Sequence, residues 1–299
     1  MTAPIAHQPS QFSIGYVDAD HFLGPYNWTS GRDDNINPVL HAKFQCHDGE
    51  VEGFAKPFCR NNIFQATQTL NEVTGWLIAR ACGLPVAERA FFSVINSNEL
   101  PTYSGELPLP APDEDGNLLC FTTQAMGNTA VRGQYNTEML VREQSAWPLC
   151  DATIAFDEAL ANSDRHAFNL LRRAENDFAL IDHGLLLRDL DMHYPFHWEG
   201  DVLGTLASRP FPNVLHTNTF HLLGRSSKDA ARKGLDNCAP ITATIEAVLP
   251  KLMFELAFWC SKLMPGKSAK WLHFLRQRTA NCNMKHLLHG RYGLLNLHA

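Results

Sequence analysis

The sequence predicts an α+β protein in two lobes, a strand-rich front and a helix-rich back, with the break near Gly127. Three observations lead there. Two apolar runs joined by a turn lie between Asn37 and Phe58. One long stretch at helical spacing follows, from Ile63 to Cys82. Beyond Gly127 strand signals become scarce and helical spacing takes over.

The opening 25 residues are polar and irregular and suggest no element. Val39 to Cys46 and Val51 to Phe58 read as strands around His47-Asp48-Gly49-Glu50, where Asp-Gly is a strong hairpin signal. In the helix that follows, Leu70, Val73, Trp76, Leu77 and Ala81 recur at helical spacing, and Gly83 stops it. Leu84-Pro85-Val86 leads into a strand from Arg89 to Ile95. A surface excursion rich in Pro, Gly and acids covers Asn96 to Gly116, and Leu118 to Thr123 is the next strand. In the back half Asp151 to Asn162 is helical. Asn169 to Arg173 and Phe178 to Asp182 make a short hairpin around Ala174-Glu175-Asn176-Asp177. From Asp201 on, several helices with Pro and Gly breaks are expected, and there is no internal repeat.

With 299 residues, 45% of them apolar, the chain suits one large domain or two tightly joined lobes. Only 19% are charged, which excludes a disordered chain. A net charge of −6 and a pI near 6.1 argue against a general nucleic-acid binder, because neutralising phosphates needs a basic surface. The eight cysteines are scattered and form no C-x-x-C pair, so they read as buried reduced thiols. The start shows no basic cluster followed by an apolar run. The most apolar region, Ile241 to Met264, is interrupted by Glu246, Pro250, Lys251 and Glu255, which suits a core helix rather than a membrane span. The expectation is a soluble, cytoplasmic protein with no membrane and no direct nucleic-acid contact.

The chemistry concentrates in Asn162-Ser163-Asp164-Arg165-His166-Ala167-Phe168-Asn169 and, after a hairpin, Ile181-Asp182-His183-Gly184. Phosphoryl transfer needs a carboxylate to orient the attacking hydroxyl, oxygen ligands for magnesium, and a cation to steady the phosphates. Asp164 stands five residues before Asn169, and the hairpin would return Asp182 beside them, two residues ahead of Gly184. A lone Asp-x-x-x-x-Asn is common by chance; joined to an apolar hairpin and Ile-Asp-His-Gly it is much rarer. The front half supplies the cation. Lys56 lies near the end of a strand and Glu72 sixteen residues later on the long helix, a separation that suits an ion pair gripping phosphates. Lys43, on the preceding strand, is the rival lysine.

Each residue also has a bland reading. Asp164 would be a cap, Asn169 a turn residue, Asp182 an aspartate satisfied by backbone N–H groups, and Lys56 and Glu72 solvated surface charges. The agreement of these spacings favours function. His166 holds the loop by a hydrogen bond or touches substrate, and Arg165 braces the loop or meets phosphate. His183 packs or supports the neighbouring aspartate. Gln124 to Gly127 would form the strap between the lobes, with Met126 facing a ligand or filling core. His193 and His197 are four apart, but Pro195 between them argues against a helical metal pair.

The run from Phe156 to His166, with Asn169-Leu170-Leu171 and Ile181 to Leu187, resembles the catalytic segment of HipA-like kinases. The Lys56 strand, Asn71-Glu72 and Ala81 to Val86 resemble that family's front lobe, so the likeness covers residues 28 to 200. Phosphatidylinositol kinases share Asp-Arg-His-x-x-Asn and an Ile-Asp-x-Gly follow-up, which makes them the nearest competing resemblance. The resemblance implies a two-lobed protein-kinase-like fold in one domain over residues 1–299, with an N-lobe at 28–126 and a C-lobe at 127–299. It implies ATP- and Mg²⁺-dependent transfer to a protein serine or threonine, often by the toxin of a toxin–antitoxin pair. By that likeness Asp164 is catalytic with His166 beside it, Asn169 and Asp182 hold magnesium, and Lys56, Glu72, Gln124 and Met126 hold ATP. A protein substrate and an antitoxin are the implied partners. The alternatives are a lipid-headgroup or small-molecule acceptor, and a nucleotide-binding pseudokinase that regulates a partner. Trp28 to Asn35, where a phosphate loop is expected, has one glycine and two acids, so it suits substrate or regulation, with Ser30 the candidate for autophosphorylation. The chain resembles the compact branch, without the extra N-terminal subdomain of larger members.

Overall fold

The computed structural model describes residues 13–29, 38–105, 107–127, 136–186, 207–224 and 226–294. Within them the chain is α+β. The front holds a six-stranded sheet of β1 (Gly15–Val17), β2 (Phe22–Trp28), β3 (Leu40–Cys46), β4 (Gly49–Phe58), β5 (Ala90–Asn96) and β6 (Asn117–Gln124), ordered β1-β5-β6-β4-β3-β2. β1 is parallel to β5; the other pairings are antiparallel. The β3–β4 hairpin turns at His47-Asp48, and Gly49 takes φ 131°, a conformation costly for any other residue. Alternation along β4 sends Val51 and Ala55 into a cluster with Leu40, Ala42 and Phe44. Phe54 and Lys56 therefore face the opposite side, where α1 (Ile63–Ala81) lies.

α1 begins at Asn62, whose side chain accepts from the Phe64 and Gln65 N–H groups. It ends where Gly83 adopts φ 72°; the Gly83 and Leu84 N–H groups then reach the carbonyls of Arg80 and Ala79. The back half holds α2 (Thr137–Ala146), α3 (Cys150–Ala159), β7 (Leu170–Ala174), β8 (Asp177–Leu180), α4 (Val214–Thr219), α5 (Lys228–Leu263), α6 (Ser268–Thr279) and α7 (Asn281–Arg291). α5 packs on α1, α3 and α6, so one apolar core runs from the sheet through the helices. Buried Arg278 and half-buried Arg291 clasp Glu158 at the end of α3, through bonds of 3.2 and 2.8 Å to its two carboxylate oxygens. This ties the last two helices to the segment that leads into the candidate site.

Three expectations are corrected. Residues 13–25 of the opening stretch are not irregular, since β1 and the start of β2 lie there. β2 hides because its register against β3 shifts around Gly24 and between Pro25 and Asn27, which breaks the alternation. The prolines do not break the C-terminal helix: α5 runs 36 residues through Pro240 and Pro250. Its buried stripe (Cys238, Ile241, Ile245, Leu249, Leu252, Leu256) continues across both, and that burial outweighs the lost hydrogen bonds. α2 occupies a stretch where the sequence signals no element, and α3 ends at Ala159 rather than Asn162. Among the described residues no helix is long and apolar enough to cross a membrane, and all eight cysteines are free.

Candidate active site

Three charged side chains meet where β4, α1 and the segment after β8 converge. Lys56 Nζ donates to Glu72 Oε1 and, at 3.1 Å, to Asp182 Oδ1. Alternation aims Lys56 off the sheet. Glu72 is 6% exposed and is fixed from below by the His183 N–H, 2.9 Å from its Oε2. Burial pulls the Lys56 ammonium down, but the Asp182 and Glu72 carboxylates outweigh it and raise its pKa. Burial pushes Asp182 up, yet Lys56 prevails and holds it well below the usual carboxylate range. Glu72, the deepest of the three, is raised by burial against the pull of Lys56. Lys43, the rival lysine, pairs with Glu50 on the outer part of the hairpin.

Asp182 has φ 56°, in the left-handed region that costs most residues about 1–3 kcal/mol and that aspartate tolerates better than most. The strain is held from both sides. The Leu180 N–H bonds Pro85 O at 2.7 Å, and Asn71 Nδ2 donates to the carbonyls of Gly184 and Leu186 at 3.0 and 2.8 Å.

The second group is Asp164 with Asn169. Asn169 Nδ2 donates to Asp164 O at 2.7 Å and to Asp164 Oδ2 at 3.1 Å. Both amide protons are thus used, which turns the Asn169 amide oxygen the other way. His166 caps the turn that carries Asn169: its Nδ1 accepts from the Phe168 N–H at 3.3 Å, and its Nε2 stands 4.0 Å from Asp164 Oδ2.

Arg165 joins the two groups. It is fully buried against Asp157 of α3, with Nε 3.3 Å from Oδ2. It also donates to Asn169 O at 2.9 Å, to Ile181 O, and to His183 Nδ1 at 3.1 Å. Arginine only donates, so His183 Nδ1 accepts and its proton sits on Nε2. Burial and then Arg165 lower the pKa of His183, keeping the ring neutral. Of the two readings of Arg165, the structure gives the brace.

A cavity of about 230 Å³ opens beside Lys56, Glu72 and Asp182 and is lined further by Phe54, Gln124, Met126 and Leu180. Phe54 begins an aromatic ladder: its ring stacks on His41 at 4.8 Å and 21°, and His41 on Tyr26 at 4.7 Å. Five predicted residues (Lys56, Glu72, Gln124, Met126 and Asp182) therefore line one cavity. Asp164 and Asn169 pair with each other on the adjoining loop and reach that cluster through Arg165. Ser30, His193 and His197 lie outside the described residues, as does most of the stretch from Trp28 to Asn35. Sequence reasoning missed Gly75, against which the His183 ring packs; a lone glycine inside α1 was the available signal.

No protein-family model matches the chain, and no curated protein does. Among the solved structures that match, one described as the crystal structure of the golgi casein kinase aligns with 95% of this chain and 74% of its own at 13% identity and a TM-score of 0.41, a loose likeness. The order of elements is nonetheless kinase-like: a three-strand meander ending in the lysine strand, the glutamate helix, two more strands, then helices around a short hairpin.

Proposed function

We propose that this chain is an ATP- and magnesium-dependent phosphotransferase of the HipA type, acting on a serine or threonine of a protein. One observation carries the reading. The Lys56–Glu72–Asp182 cluster borders a cavity, and the same buried arginine braces both the Asp182 segment and the Asp164–Asn169 loop.

The residues fit a magnesium ion of the kind held jointly with phosphates. Asp182 offers a carboxylate whose side chain is 43% exposed, and Asn169 offers an amide oxygen oriented by its two bonds to Asp164. Among the described residues no three His, Cys, Asp or Glu cluster as a metal cage. Magnesium bound through one or two protein oxygens and the phosphates does not require one. When bound, the ion would neutralise charge on the transferring phosphoryl group.

The chain's own residues supply the rest. Lys56, kept charged by two carboxylates, steadies the phosphate chain. Glu72 holds Lys56 in place and is itself held by the His183 N–H. Phe54, Met126 and Leu180 exclude water from the base. Asp164 orients the acceptor hydroxyl, and His166 maintains the turn that sets Asn169 against it. The toxin–antitoxin setting, the antitoxin partner and a cytoplasmic location belong to this reading through the HipA resemblance.

The test is incubation of pure protein with γ-labelled ATP, magnesium and cell lysate. Label should appear in protein, and Asp164→Asn should reduce transfer by roughly 10²–10⁴ while nucleotide binding persists. Label confined to small molecules would overturn the acceptor. Tight ATP binding with no transfer to anything would overturn the enzyme.

A further inference from the structure

Charge is unevenly placed along this chain. Residues 226–294 carry eleven Lys and Arg against four Asp and Glu, a net +7, and the remainder carries fourteen against twenty-seven. Part of that excess is gathered in one place. α5 and α7 wall a groove of about 750 Å³. On the α5 wall Lys228 and Arg232 stand one helical turn apart; on the α7 wall Lys285 and His289 do the same. All four are exposed, and Asp236 is the single acid lining the groove. Buried Leu288 and Leu294, with half-buried Leu235, give it an apolar floor.

Folding gives little reason for this arrangement. Elsewhere Arg142, Arg172 and Arg173 pair with Glu138, Glu143 and Asp177. Among the described residues Lys228, Arg232 and Lys285 pair with no carboxylate. Like charges one turn apart weaken a helix, and cations facing each other across a groove repel. An anionic occupant would remove both penalties.

We propose that this groove docks an acidic amphipathic segment of a partner protein. Carboxylates spaced one helical turn apart would meet Lys228, Arg232 and Lys285, and the apolar side chains between them would seat on Leu235, Leu288 and Leu294. The floor decides between macromolecules. Nucleic-acid sites rely on many phosphate contacts and on aromatic stacking, whereas this groove has few cations, no Phe, Tyr or Trp in its lining and a leucine base. Helix-in-groove docking uses what is present, an apolar base with charged rims. This site is separate from the residues assigned to phosphoryl transfer and does not depend on that assignment.

The test is a fluorescence-anisotropy titration of the full chain into a labelled amphipathic peptide with Glu at i and i+4 and Leu on the opposite face. A control peptide carries Lys in place of each Glu. The expected result is saturable micromolar binding of the acidic peptide alone, weakened about tenfold or more by Arg232→Glu with Lys285→Glu and by added salt. The milder pair Arg232→Gln with Lys285→Gln should weaken it less, with both variants melting as the parent does. Equal binding by parent and charge-reversed protein would overturn the proposal. So would tighter binding of a single-stranded oligonucleotide of equal charge, or a parent dimer that the reversal converts to monomer.

Discussion

The imidazole of His183 rests against Gly75, the single residue of α1 without a side chain. A Cβ at position 75 would stand 2.5 Å from His183 Cβ and 2.8 Å from Nδ1. This contact sets how closely α1 approaches the segment carrying Asp182. Through the His183 N–H it also sets where Glu72, and so Lys56, can stand.

Replacing Gly75 by Ala tests that dependence. In an ordinary helix interior the change stabilises by about 0.5–1 kcal/mol. Here overpacking should reverse the sign and cost about 1–3 kcal/mol, with ATP-dependent transfer falling as the Asp182 segment moves. Urea denaturation and a transfer assay of Gly75→Ala read both effects. A gain in stability would mean that the helix and the loop are not in contact.

Asp182 separates charge from backbone conformation. Asn tolerates the left-handed region nearly as well, Gly tolerates it best, and Ala poorly. Denaturation midpoints should therefore rank Asp182→Gly at or above Asp182→Asn, with Asp182→Ala about 1 kcal/mol below them. All three should lose transfer by roughly 10²-fold or more, since each removes the carboxylate. An Asp182→Asn protein with full activity would remove this residue from the chemistry.

The elements that could be read from the sequence are those whose signals are local. The β3–β4 hairpin follows from Asp48-Gly49, and α1 from its spacing and Gly83. The Lys56–Glu72 contact follows from one strand feeding one helix. What escaped depends on distant partners. β1 exists only by pairing with β5, far along the chain, and α5 survives Pro240 and Pro250 only because other helices cover its stripe. Arg165 illustrates the same limit within the site. Its neighbours in sequence are polar, so nothing local reveals that α3 would bury it fully on Asp157.

Phe54 is expected to hold a nucleotide base by stacking, because its ring lines the cavity on the face that also presents Lys56. Stacking of a base on an aromatic ring is worth about 1–3 kcal/mol, so Phe54→Ala should weaken ATP binding about tenfold or more. Phe54→Leu, which keeps bulk but removes the π face, should fall between. Calorimetric titration with ATP and magnesium distinguishes them. Identical affinities in all three proteins would place the base elsewhere.

His216 should make the fold acid-sensitive in a defined window. It is 6% exposed on α4, set between the rings of Phe220 and Tyr292, and its Nε2 meets no partner among the described residues. Burial, and then the charge of Arg291, lower its pKa from 6.5 to about 4. In the unfolded chain the ring takes its proton near pH 6.5; in the folded chain it resists until near pH 4. Falling pH therefore favours unfolding. The contribution is whole above pH 6.5 and is lost as pH falls toward 4, amounting to about 2–3 kcal/mol. His183 is also held neutral and adds its own loss in acid, so the informative quantity is a difference between proteins. Urea-unfolding free energies of the parent and of His216→Leu, measured from pH 7 to pH 4, should differ in slope, the parent losing up to about 1.4 kcal/mol per pH unit more than the variant. Parallel pH profiles for the two proteins would mean that His216 titrates alike folded and unfolded, and that its pocket is open to water.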